Sequence, residues 1–144
     1  MATFVVTDEF INYLGTKKID LSADTFKWYL SNNAPTEAGS QVKADVAGIT
    51  EQNGYTEWTP TVTWAETGSG TGNWRLAVGA DKTWTASGGS FGPFRYAIMY
   101  DDTPAATPTD PLVGYVDYGS AITVNTGETF TLDFDSNFAA FVAS

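Results

Sequence analysis

Apolar and polar residues alternate with a period of two along most of this chain, and one segment near its start breaks the rhythm. Over residues 7–15 the spacing is helical. Phe10, Tyr13 and Leu14 fall on one face, Thr7 stands where an N-cap belongs, Asp8 and Glu9 occupy the first turn where the helix dipole favours acids, and Val6 and Ile11 are spaced as a hydrophobic staple. Gly15 is the expected stop before Lys17 and Lys18. Phe26, Trp28 and Leu30 then alternate with Lys27 and Tyr29, which predicts a strand at the centre of the fold.

Residues 31–54 lose the pattern to Asn, Ser, Gly and Pro and read as a long surface loop, with a short helical turn over residues 41–47. Strand character returns at residues 58–64, where Trp58, Pro60, Val62 and Trp64 share one face and threonines fill the other. Pro60 restricts that strand to a sheet edge or to its own beginning. Further strands are expected at residues 74–78 and 82–86, after a glycine-rich connection at residues 68–72. Residues 94–100 are bulky on both faces and belong in the middle of a sheet. Strands over 112–118 and 121–124 follow. Residues 129–135 alternate most cleanly, with Phe130, Leu132 and Phe134 inward and Thr131, Asp133 and Asp135 outward. Short strands separated by turn residues at this spacing predict an all-β fold. The expected architecture is an antiparallel β-sandwich, jelly-roll or Ig-like, spanning residues 1–144 as one domain with a helix at about residues 7–15.

Charge and composition narrow the function. The net charge is −10, and Lys17, Lys18, Lys27, Lys43, Arg75, Lys82 and Arg95 are scattered rather than gathered into a stripe, so nucleic acid and anionic membrane are not expected partners. The first residues lack the basic and apolar regions of a signal peptide, and no stretch reaches bilayer-spanning length, so a soluble product folded in a cytoplasm is expected. His and Cys are both absent, and with them the side chains that most often start a catalytic or transition-metal site. The sequence points to a surface that binds rather than a site that reacts.

Three stretches invite a chemical reading, and each has a plainer one. Asp133, Asp135 and Asn137 begin a calcium-loop spacing, but Phe138 stands where glycine is needed and no closing Glu follows, so no metal or other cofactor is expected. Asp101 and Asp102 are neighbours in a turn, where carboxylates point apart, and no partner for a glycosidase pair is legible. The glycines of residues 68–72 lack the Lys-Ser/Thr of a phosphate cradle. Among the tryptophans, Trp58, Trp64 and Trp74 share faces with aliphatic residues and are expected in the core. Trp84 has Lys82, Thr83 and Thr85 around it, which makes it the expected contact residue, for a subunit or for a glycan.

The order of several segments resembles a known group. Phe10-Ile11-Asn12-Tyr13-Leu14-Gly15, Ile19-Asp20-Leu21 and Asp24-Thr25-Phe26-Lys27-Trp28-Tyr29-Leu30 look like the opening of small structural proteins of tailed bacteriophages, in which a short helix precedes such a strand. Gly54-Tyr55, the run from Arg95 to Thr103, the run from Asp110 to Gly119 and the run from Thr129 to Phe134 are similar to later parts of the same group. The Trp-rich stretch from Trp58 to Trp84 has no counterpart in that pattern, and Asn137-Phe138 replaces an Asn-Gly pair.

The resemblance implies a β-sandwich on a virus particle. It also implies a non-enzymatic role as a capsid decoration or cement protein that binds the major capsid protein on the capsid exterior after synthesis in the host cytoplasm. The alternative is a receptor- or carbohydrate-binding module on a head or tail fibre; a glycan hydrolase ranks third, since the chain is short and lacks a His base. The C-terminal run through Phe138, Phe141 and Val142 is apolar on both faces, so it is expected to be covered by another copy in a homo-oligomer, with a trimer as the first expectation.

Overall fold

The computed structural model describes residues 3–36, 42–66, 70, 72–104, 108–134 and 139–142, the final segment by its backbone path. Within them the chain is an all-β protein of packed antiparallel sheets with one N-terminal helix. In chain order come β1 (Phe4–Val6), α1 (Asp8–Gly15), β2 (Phe26–Ser31), β3 (Val62–Glu66), β4 (Asn73–Val78), β5 (Lys82–Thr85), β6 (Phe91–Asp101), β7 (Leu112–Val124), β8 (Thr129–Leu132) and β9 (Ala139–Val142). They form a four-stranded sheet in the order β1-β7-β6-β2, a three-stranded sheet β3-β4-β9 and the pair β5-β8.

Strand β6 is apolar on both faces because each face of its sheet is covered. On one face Trp28, Leu30, Ala97, Met99, Val113 and Val116 join the main core. Trp28 there packs edge-on against Phe134 at 5.3 Å, and Phe94 meets Phe130 at 4.8 Å, so aromatic contacts tie this sheet to the chain around β8. On the other face Tyr29, Ile98, Tyr100 and Leu112 lie with Val46 in a second cluster. The loop that supplies Val46 holds one 3₁₀ turn, Lys43–Asp45, fixed by Lys43, whose ammonium pairs with Glu57 and lies 4.7 Å from the Tyr100 ring centre.

Several expectations need correction. Strand β2 ends its sheet rather than lying at its centre. It is nonetheless buried, because its outer edge is closed by a bridge between Trp28 and Trp58 and by the Ile49 N–H donating to the Leu30 carbonyl at 2.9 Å. The expected strands at residues 112–118 and 121–124 are one strand, β7, which passes through Gly119 at φ 85°. The helix closes two residues later than expected: Lys17, not Gly15, takes the left-handed conformation at φ 59°, and the Lys18 N–H returns to the Tyr13 carbonyl at 2.8 Å. Thr7 occupies the N-cap position but directs its hydroxyl to the carbonyl oxygens of Leu112 and Val113, tying the helix start to β7. Ile11 is 59% exposed, so the staple with Val6 does not form.

Candidate binding site

A groove of about 570 Å³ opens between the end of α1, the loop that follows it and Trp64 of β3. Its floor is apolar. Leu14 comes from the helix, Ile19 and Leu21 are buried in the loop, and Trp64 projects from β3. Polar groups stand around that floor: Lys17, Asp20 and Ser22.

The loop is held by its own side chains. The Asp20 carboxylate accepts the Ser22 N–H at 2.9 Å and the Ser22 hydroxyl at 2.6 Å, while the Asp24 carboxylate accepts the Asp20 N–H at 2.7 Å. The Ser22 hydrogen bonds hold the Asp20 carboxyl below its ordinary range, so it stays ionised. These bonds fix the rim before any ligand arrives.

The Trp64 indole that lines the groove is stacked on a second one, Trp74 of β4. Trp64 pairs across the ladder with Leu76, and Glu66 pairs with Trp74, so Trp64 and Trp74 are diagonal neighbours on one face of the hairpin. Their rings lie 5.6 Å apart at 21°. Trp64 is half-buried against the core, whereas Trp74 is 41% exposed. The connection between the two strands is anchored by Glu66, whose carboxylate accepts the N–H groups of Gly70 at 3.0 Å and Gly72 at 2.7 Å.

This arrangement exchanges the expected roles of Trp84 and Trp74, while Trp58 and Trp64 pack partly buried against the core as expected. Trp84 is 2% exposed, lies tilted against Tyr55 at 5.7 Å, stacks on Phe130 at 6.2 Å, and donates its indole N–H to the Thr56 carbonyl at 2.9 Å. It is a core residue and offers no contact surface. Its apolar companions come from β8 and from the loop before β3, which its sequence neighbours do not reveal. Trp74, expected in the core, carries the exposed indole instead. The spacing is what makes them diagonal partners: with Glu66 opposite Trp74, the hairpin sets Trp64 opposite Leu76, two positions beyond Trp74.

The other expected contact residues lie at the C-terminus. Phe138 falls outside the described residues. Phe141 and Val142 lie in β9, whose backbone pairs antiparallel with β4, placing Phe141 opposite Trp74 and Val142 opposite Asn73. One edge of that strand is therefore covered by its own chain, and β9 ends the three-stranded sheet.

Asp101 and Asp102 diverge. Asp102 forms an ion pair with Lys27 at 3.0 Å, while Asp101 is fully buried at the end of β6 and accepts the Thr103 N–H at 2.9 Å. Burial first, and then the neighbouring Asp24 carboxyl, push the Asp101 carboxyl up to about 8. Its Oδ2 has no donor among the described residues, as expected of an acid that keeps its proton and shares it with Asp24. Of the partial calcium-loop pattern, Asp133 is exposed, while Asp135 and Asn137 lie outside the described residues. Among the described residues no three carboxylates gather as a metal site, and no helix is long and apolar enough to cross a membrane. No protein-family model, curated protein or solved structure matches the chain.

Proposed function

We propose that this protein is a non-enzymatic structural component of a tailed-bacteriophage particle, a decoration or cement protein that binds the major capsid protein on the outside of the shell. The supporting observation is where the phage-like segments fall in the fold. The strand after the helix and the runs from Arg95 to Thr103 and from Asp110 to Gly119 correspond to β2, β6 and β7, which lie in one four-stranded sheet, while the run from Thr129 to Phe134 forms β8 and pairs with β5. The Trp-rich stretch without a phage-like counterpart builds β3 and β4 and enters β5. A shared sheet carrying a chain-specific second layer suits a protein whose scaffold is common and whose docking surface is particular to one particle.

Self-association belongs to the same reading. β9 ends the three-stranded sheet with β4 on one side, and lateral contact between copies at that edge, as a trimer on the shell, is the proposed arrangement. The test is co-sedimentation of purified protein with capsids stripped of their accessory proteins. Saturable binding that raises the capsid's melting temperature is the expected result. Failure to sediment with any capsid, together with absence of the chain from purified particles, would overturn the proposal.

A further inference from the structure

The groove beside Trp64 has a chemistry of its own, separate from attachment to a shell. We propose that it binds a neutral oligosaccharide, with the Trp64 indole as the platform for one sugar ring and Asp20, Ser22 and Lys17 as hydrogen-bonding partners for its hydroxyls. At about 570 Å³ the groove lies inside the range of small-ligand sites, about 300–1,000 Å³, and it combines an apolar floor with a few fixed polar groups.

The selection among ligand classes follows from the lining. A sugar ring presents a face of C–H groups, weakly positive, and a rim of hydroxyls. The face suits the negative face of an indole, and the rim requires donors and acceptors at the side. Trp64 supplies the first, held in its plane by Trp74 at 5.6 Å. The polar rim supplies the second: the Asp20 carboxylate has about four acceptor positions, of which the Ser22 groups take two, and Lys17 adds an ammonium donor.

A wholly apolar ligand would desolvate Lys17 and Asp20 without giving them partners, which disfavours a greasy peptide or an acyl chain. A phosphate-bearing ligand meets Asp20 and a net charge of −10. Lys17 and Asp20 line the same groove with opposite charges, and a neutral polyol is the class that gives a partner to both. The internal hydrogen bonds of the loop and the left-handed backbone at Lys17 set the rim before binding, which lowers its ordering cost.

The experiment is an array of neutral glycans, followed by tryptophan-fluorescence titration with maltotriose and chitotriose as defined probes of plain and N-acetylated hexoses. Retention on at least one glycan is expected, with affinity lowered at least tenfold by Trp64→Ala and severalfold by Lys17→Gly, a substitution that preserves the left-handed backbone. Trp74→Ala, at an exposed position, reports on the support of the platform without disturbing the core, and an affinity loss is expected there too. No retention on any glycan, or retention unchanged in the Trp64→Ala and Lys17→Gly variants with near-native melting, would overturn the inference. Capsid binding by the same variants is a separate readout, so a failed glycan site leaves the shell-binding proposal standing.

Discussion

At the scale of single residues, Asp101 makes stability depend on pH in an unusual direction. Its folded carboxyl titrates near 8, while the unfolded chain's titrates near an ordinary value of about 3.9. Between those limits the native state binds more protons than the unfolded one, so stability falls as pH rises, by at most about 1.4 kcal/mol per pH unit for one proton. Asp20 and Asp117 are shifted the opposite way, which places their contributions at lower pH. Urea midpoints of the wild type should therefore drop between pH 5 and pH 8. Asp101→Asn keeps the acceptor for the Thr103 N–H and turns the other atom into a donor toward Asp24, so its midpoint should stay flat and exceed the wild type at pH 8. Parallel profiles for the two proteins would place the proton elsewhere. The tryptophans provide a second residue-level test. Trp84→Ala empties a buried site and removes the bond to Thr56, for a loss of about 3–5 kcal/mol. Trp74→Ala removes one exposed partner of a stacked pair and should cost about 1 kcal/mol. Denaturant unfolding that ranks them the other way would contradict the burial described here.

At the scale of elements, β8 tests the facing of strands and β9 tests the closure of a sheet. Leu132 is fully buried and Thr131 exposed, so Leu132→Asp should cost about 4 kcal/mol or more, while Thr131→Asp should stay within about 1 kcal/mol. Comparable losses would mean that the alternation is read on the wrong face. Deleting residues 139–144 removes four cross-strand pairs with β4, each worth about 0.2–1 kcal/mol. The truncated chain should unfold at lower urea, and an unchanged midpoint would argue against the pairing. The alternation at residues 129–134 was legible because each strand there meets core on one face and water on the other. The run of bulky residues on both faces equally marked β6 as a strand with two covered faces. The position of β2 was not legible, since a loop bridge closes its edge and a bridge leaves no period in the sequence. Trp84 was misread for a related reason: its burial comes from Tyr55 and Phe130, distant along the chain. The groove was not legible, because its lining comes from α1, the loop after it and Trp64 of β3, which meet only in the folded chain.

At the scale of the whole molecule, an aromatic core carries the two proposed surfaces, the Trp-rich second layer for the shell and the groove beside Trp64 for sugar. The acidic charge, −10 overall, implies that any contact with a capsid carrying complementary basic groups should strengthen as salt is lowered. Binding measured at two salt concentrations checks this, and salt-independent affinity would point to a purely apolar interface. The most direct test of the central claim is a cryo-electron-microscopy reconstruction of the intact particle that carries this protein. The sandwich should fit density repeated at symmetry-related positions on the outer face of the capsid, in contact with the major capsid protein. A shell with no such density, in particles that mass spectrometry finds free of the chain, would contradict it.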